Sequence, residues 1–383
     1  MRVTWVSPSY GYGGDLLYFG GIFAAFCKHF PATTILVDRT VDYRGAEGLP
    51  LQPGLECWHF GGQRTLGQAA YDVSYAIPKP GLIPALLRSQ PQALVVIEFT
   101  LPALIATALA WFRRDIALLL LVESDPALRG AKSNPVVRAI KRWACRRADA
   151  IQTCNAAGKR FLIEELRVPP AKVRVAPYLT SCPPHALQPM HKRDDGRVTI
   201  LFANSLVSRK GADRLLSALA QLPPAIAAKV AVTIVGEGPE RPRLEAMASQ
   251  LASIPTSFVG AKPYAELGSD YAAADILAIP TLADYRSLAG FEGLGYGLAL
   301  LASRADGASE EILDGGRTGL SIDPNDPATI AAAITQMVEH PDQLAAYQHN
   351  AKALFEDRFS YAQIASHLAD GLVAALDGRR ANP

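Results

Sequence analysis

Short apolar runs recur along this chain, each followed by a turn and then by a stretch with apolar positions every three or four residues. In the first half the runs fall at residues 3–7, 35–37, 94–97, 117–122, 150–153 and 173–175. Runs of this length, rich in Val, Ile and Leu, predict strands buried on both faces, as in parallel sheets. The spacing of Leu16, Phe19, Phe23 and Phe26 predicts a helix between the first two. In the second half, runs at 198–203, 231–235, 257–259, 275–279 and 298–302 alternate with helical stretches in the same way. Amphipathic helices over 327–339 and 341–355 follow, with a last one over 361–376. The alternation predicts an α/β chain of two doubly wound, Rossmann-like domains. The stretch SCPPHALQPMHKRDDG, residues 181–196, is Pro-rich and without period, which marks a linker. The expected domains are therefore 1–182 and 198–360, with a linker over 183–197 and a final helical segment over 361–383.

A length of 383 residues exceeds one comfortable core and agrees with two domains. With 49% hydrophobic and 19% charged residues, the chain has a globular composition and no tract that predicts disorder. Five cysteines, Cys27, Cys57, Cys145, Cys154 and Cys182, are an odd number without CxxC spacing. Neither a disulfide framework nor a zinc site is indicated, and a reducing compartment fits best. The start, MRVTWVSPSYGYGG, reads as a strand entering a glycine loop rather than as a signal peptide. The most apolar stretch, 94–112, is broken by Glu98 and Pro102 and predicts no membrane span.

Charge changes the picture more. Residues 1–190 hold 21 Lys and Arg against 13 Asp and Glu, and the remainder 17 against 23, so an anionic partner is expected for the first half alone. Within it, Lys132, Arg138, Lys141, Arg142, Arg146 and Arg147 form a run without an acid, while Val137, Ile140, Trp143 and Ala144 recur at helical spacing. That pattern suits a helix lying on an anionic membrane. It suits equally a core-packed helix with a solvated face.

Two carboxylates, Asp284 and Glu292, stand eight positions apart in PTLADYRSLAGFEGLGYGLALLASRADGASEEILDGG. Asp284 is expected in the loop after the strand 276–279. Gly290 is expected in the loop before Glu292, and Glu292 at a helix N-terminus. Open α/β sheets bind ligands outside the carboxyl ends of their strands, and a helix start welcomes an anionic group. A carboxylate there can accept from sugar hydroxyls while free N–H groups hold phosphate; a turn residue and an ordinary helix acid explain the pair as well. Arg209, Lys210 and Gly211, between the strand 198–203 and a helix, suit a diphosphate, or else form a solvated basic turn. Gly236 and Gly238 follow the next strand, and Val259 and Gly260 the one after; backbone there can approach a planar base, or simply turn. Near the start, Gly11, Gly13 and Gly14 fail the dinucleotide fingerprint, since Leu16 stands where its third glycine belongs. The seven histidines are scattered, with no pair at metal-ligand spacing.

The segment around Asp284 and Glu292 resembles the acidic signature of retaining nucleotide-sugar glycosyltransferases of the GT-B fold, family 4. In that family an acid, seven residues and a Glu precede a small-residue helix. Pro280, Thr281, Gly297 and the turn Asp306-Gly307 fit its flanks, whereas Ser287 replaces a usual Gly, and Ala299 and Leu300 a usual Pro-Val. The resemblance implies two Rossmann-like domains facing a central cleft, with the final helix crossing back to the first domain. It implies that Arg209 and Lys210 contact the donor diphosphate, Glu292 the ribose and Asp284 the sugar. Gly13 and Gly14 would close the site, and Gly236, Gly238, Val259, Gly260 and Gly290 would border the nucleotide. Where many relatives carry a His, this chain has Glu123, Ser124 and Asp125, so an acidic or hydroxyl contact is expected there. The implied activity is metal-independent, retaining hexosyl transfer from a nucleotide-diphosphate sugar to a glycan or lipid-linked acceptor, in a cytoplasmic enzyme peripheral to the membrane. The alternatives are an epimerase of the same architecture and a non-catalytic binding protein.

Overall fold

Strands β1 (Val3–Val6), β2 (Thr33–Val37), β3 (Leu51–Pro53), β4 (Cys57–Leu66), β5 (Ala69–Pro78), β6 (Ala93–Ile97), β7 (Ala117–Val122), β8 (Ala150–Thr153) and β9 (Val173–Val175) build the first half of the computed structural model. Described are residues 1–6, 16–38, 48–66, 69–123, 134–183, 196–251 and 253–381. Gly11, Gly13, Gly14, Ser124, Asp125, Lys132 and positions 184–195 of the expected linker lie outside the described residues. Seven strands form one parallel sheet in the order β3-β2-β1-β6-β7-β8-β9, and β4 and β5 pair separately. β3 and the β4–β5 pair have no counterpart among the predicted strands, because GGQRT interrupts β4 and no apolar run marks it.

The second half holds β10 (Val198–Ala203), β11 (Val230–Val235), β12 (Thr256–Gly260), β13 (Ile276–Ile279), β14 (Ala299–Ser303) and β15 (Gly319–Ile322). They form a parallel sheet in the order β12-β11-β10-β13-β14-β15. Each sheet is therefore of the doubly wound, Rossmann-like kind, with strand order reversing once. In this sheet the reversal falls between β10 and β13.

The chain divides into two compact units. One comprises residues 1–66, 70–180 and 361–383; the other comprises 181–360 together with 67–69. The division falls at 180/181, so Ser181 and Cys182 belong to the second unit rather than to the first domain. In the first unit, helix Leu16–His29 sets Phe19, Ile22, Phe23 and Phe26 against the sheet, where Trp5 meets Phe23 edge-on at 5.1 Å. Helix Tyr361–Ala381 completes the same core with Ile364, Leu368, Leu372 and Ala375, all fully buried. An Ile or Leu side chain buried this completely contributes roughly 1.5–3 kcal/mol.

Helix Pro135–Arg147 departs from the expected division into apolar and basic faces. Val136, Val137 and Ile140 are 63, 43 and 41% exposed, and Trp143 stacks on Trp111 of helix Leu101–Phe112 at 6.1 Å. Arg147, counted among the basic run, is buried: it donates to the Ala110 and Ile116 carbonyls at 2.6 Å each and pairs with Asp149 at 2.9 Å. It staples this helix to the end of the preceding one and is not part of a solvated face. No described helix is long and apolar enough to cross a membrane.

Candidate functional site

Ligands of open parallel sheets bind where the strand order reverses, outside the carboxyl ends. In the second unit that point lies between the loops leaving β10 and β13, and these loops carry Arg209, Lys210 and Asp284. They are stitched together: the Leu282 N–H donates to the Arg209 carbonyl at 2.8 Å, and the Thr281 hydroxyl to the same oxygen at 2.9 Å. Gly211 permits the approach. Its φ is +73°, and a Cβ there would stand 2.0 Å from the Pro280 carbonyl oxygen.

Asp284 Oδ2 receives both cations, Lys210 Nζ at 2.5 Å and Arg209 Nη1 at 3.0 Å. Burial pushes the Asp284 carboxyl up, but Lys210 and then Arg209 outweigh it and hold the group below the ordinary carboxylate value. Its backbone pairs with Asp306 in an isolated bridge to the loop after β14. Two cations of one loop thus meet the carboxylate of the other at a single oxygen, Oδ2.

Glu292 is not at a helix N-terminus. The helix runs over Leu288–Tyr296 with Ser287 at the cap position, so Glu292 sits in its middle, and Gly290 lies inside it instead of in a loop. Gly290, which suggested a loop, is a packing position, as is Gly293 further along the helix. A Cβ on Gly290 would come within 2.6 Å of Ile312 Cδ1, and one on Gly293 within 2.7 Å of Leu277 Cδ2. The N–H groups offered by the helix start are those of Leu288 and Ala289, which make no hydrogen bond among the described residues. Glu292 itself is buried with both oxygens in use: Oε1 accepts from Ser181 Oγ at 2.6 Å, and Oε2 from the Tyr271 hydroxyl. Ser181 Oγ also lies 2.6 Å from the Tyr264 hydroxyl. Burial raises the Glu292 carboxyl pKa, with the bonds from Ser181 and Tyr271 opposing.

The remaining predicted positions fall as follows. Gly236, with φ +140°, and Gly238 lie against the Asn204 and Leu206 carbonyls, where a Cβ would stand at 2.0 and 2.3 Å. Their smallness is thus required by the contact between the loops after β10 and β11. Val259, 39% exposed, and Gly260 end β12. Glu123 directly follows β7 of the first unit, and its N–H donates to Glu98 Oε1 at 2.6 Å.

Arg286 and Glu311 had no place in the sequence reading, and Asp306 entered it only as a turn residue. Arg286 is buried over the Phe291 ring at 3.9 Å and pairs with Glu311 at 3.0 Å, which anchors the loop 284–287 on helix Ser309–Leu313. Asp306 is buried as well; burial, then Asp284, pushes its carboxyl pKa up to about 6. An Arg between Tyr285 and Ser287 and an acid two residues into a helix carry no sequence signal for pairing. Asp306 reads as a turn residue because Gly307 follows it.

Comparison with known proteins matches both units. Residues 186–354 match the family of glycosyl transferases group 1, and residues 33–178 a glycosyl transferase 4-like domain. A GDP-mannose-dependent alpha-(1-6)-phosphatidylinositol monomannoside mannosyltransferase of Mycolicibacterium smegmatis is 31% identical over 194 residues, 48% of this chain and 50% of that protein. A D-inositol 3-phosphate glycosyltransferase of Corynebacterium kroppenstedtii is 36% identical over 137 residues, 35% of this chain and 30% of that one. The chain thus spans half or less of the length of these two relatives. Among solved structures, HepE of Anabaena in complex with UDP matches with a TM-score of 0.70 at 17% identity, over 98% of this chain and all of that one. With two Rossmann-like sheets and a glycosyltransferase match on each unit, the chain belongs to the GT-B glycosyltransferases of the family 4 type.

Proposed function

We propose that this protein transfers a sugar, with retention of anomeric configuration, from a nucleotide-diphosphate sugar to a glycan or lipid-linked acceptor, without a metal ion. The observation that carries the reading is the convergence of Arg209 and Lys210 on one oxygen of Asp284, beside the helix start at Ser287. A donor diphosphate would be held by these two cations and by the Leu288 and Ala289 N–H groups, each charge-assisted bond contributing roughly 1.5–3 kcal/mol. Asp284 Oδ1, which accepts no hydrogen bond among the described residues, would accept from the sugar. Glu292 would take the ribose by exchanging the Ser181 hydroxyl for a ribose hydroxyl, a like-for-like substitution at Oε1.

As the bond from the anomeric carbon to the phosphate oxygen breaks, negative charge grows on the diphosphate, where fixed cations and N–H groups stabilise it. The acceptor hydroxyl attacks from the face the phosphate leaves, and its proton passes to a phosphate oxygen. No protein base is needed in such a step. Support for a nucleotide donor comes from the relatives, one named GDP-mannose-dependent and one solved with UDP. The test is release of nucleoside diphosphate from a panel of nucleotide sugars in the presence of glycan and polyprenyl-linked acceptors. Turnover dependent on acceptor supports the reading; donor rearranged without release identifies an epimerase, and absence of any turnover or binding refutes it.

A lipid-linked acceptor is favoured by helix Pro135–Arg147. It exposes Val136, Val137 and Ile140, and Arg146 is exposed on the same helix. Apolar side chains that enter the headgroup boundary, with cations beside them, fit an anionic membrane surface. Sedimentation with anionic but not neutral vesicles at low salt, weakened by Val137→Ser and Ile140→Ser, is the expected result. Equal sedimentation with both vesicles would leave a soluble acceptor.

A further inference from the structure

Two buried polar atoms in the loops beside Asp284 have no hydrogen-bond partner among the described residues: Oδ2 of Asp306 and Oγ of Ser287, in side chains each 3% exposed. They belong to one local structure. Asp306 Oδ1 accepts from the Ala308 N–H at 2.8 Å and from the Ser287 N–H at 3.2 Å, which locks the carboxylate to the start of helix Leu288–Tyr296. Ser287 stands at the cap position but its hydroxyl makes no capping bond. The Asp306 loop is itself fixed to Asp284, whose N–H donates to the Ala305 carbonyl at 3.3 Å and whose carbonyl accepts from Gly307 at 3.1 Å.

Leaving a buried carboxylate oxygen and a buried hydroxyl unsatisfied costs free energy, and such orphans are rare in folded proteins. A group that satisfies both at once is a hydroxyl, which can donate to Asp306 Oδ2 while accepting from the Ser287 hydroxyl; a water can hold that place until a sugar hydroxyl displaces it. A phosphate does not fit, since it has no proton to offer at neutral pH and is repelled by a carboxylate; its place is with Arg209 and Lys210. We propose that Asp306 and Ser287 together read one hydroxyl of the donor sugar and so decide which sugar is transferred, an assignment that rests on the nucleotide-sugar reading above. Asp284 Oδ1 then receives a neighbouring hydroxyl of the same ring. Burial and Asp284 push Asp306 up to about 6 against its two N–H bonds and the Lys210 charge, so at pH 7.5 it is ionised and accepts.

The test is kcat/KM of the full-length protein for its preferred nucleotide sugar and for each monodeoxy form of it, in wild type, Ser287→Ala and Asp306→Asn. A site built to bond a hydroxyl rejects the analogue lacking it strongly. Wild type is expected to disfavour one deoxy donor by about 100-fold or more, and in both variants that penalty falls below about 10-fold while the other deoxy penalties stay as they were. Ser287→Ala leaves the carboxylate and its N–H bonds in place, so its result stands even if Asp306→Asn folds poorly. Unchanged penalties in Ser287→Ala, or a uniform loss across all donors, would overturn the assignment while leaving the transferase reading intact. A wild type that binds and turns over no nucleotide sugar would overturn both.

Discussion

Replacing Asp306 by Asn should stabilise the protein above neutral pH. The Asp306 carboxyl rises from an ordinary 3.8 to about 6 on folding, so between these values the folded chain holds a proton that the unfolded chain has released. Stability contributed by that proton is complete below 3.8 and is lost as pH rises through about 6. A difference of this size corresponds to roughly 3 kcal/mol. Asparagine keeps Oδ1 for the Ser287 and Ala308 N–H groups and never ionises, so it escapes the loss. At pH 8 the variant should be more stable by up to about 3 kcal/mol, a rise in melting temperature of up to about 6–12 °C for a unit of this size. At pH 4.5 about two thirds of the advantage should vanish, because wild-type Asp306 is then protonated. Thermal unfolding followed from pH 4.5 to 8 measures this directly. A variant melting at or below wild type at pH 8, or an advantage that does not shrink on acidification, would refute the reasoning.

Lys210→Ala should lower kcat/KM by roughly 2–4 kcal/mol of transition-state stabilisation, about 30- to 1000-fold, in steady-state assays with the preferred donor, while the circular dichroism spectrum stays that of wild type. Arg286→Met leaves Glu311 buried without its cation and should cost about 3–5 kcal/mol in denaturant unfolding; adding Glu311→Leu should recover most of it. Since the proposed site neutralises phosphate with Arg209, Lys210 and N–H groups, turnover should persist within about twofold in EDTA. Complete loss, restored by manganese or magnesium, would count against that mechanism.

The strands of both sheets were legible where apolar runs are unbroken, as in β7 and β10. They were not where polar or small residues interrupt them, as in β4 and β15, because an edge strand is half wet and its sequence need not be apolar. The acidic pair was legible as a pattern, and Asp284 lies in the loop after β13 as expected, but Glu292 sits in the middle of its helix rather than at the start. A glycine costs a helix about 1 kcal/mol relative to alanine, so the local signal at Gly290 argued for a loop, and Gly293 and Gly295 weaken the same helix further. Tertiary packing overrides it, since side chains of Ile312, Leu277 and Cys182 occupy the space a Cβ would need. Ser181 and Tyr271 were missed for a different reason. Nothing local distinguishes a hydroxyl that meets a carboxylate 111 positions away from one in solvent.

The placement of helix Tyr361–Ala381 in the first unit bears on how the chain is made. Residues 181–360 separate the sheet of that unit from the helix that closes its core, so a nascent chain exposes Trp5, Phe19, Phe23 and Phe26 without their last neighbours until the helix emerges. At ribosomal rates of about 5–20 residues per second, that interval lasts roughly 10–40 s, far longer than a small domain needs to collapse. The second unit, contiguous over those residues, has no such wait. Synthesis therefore favours completion of the second unit first, and a ribosome stalled near residue 360 would present an open apolar face to chaperones and proteases.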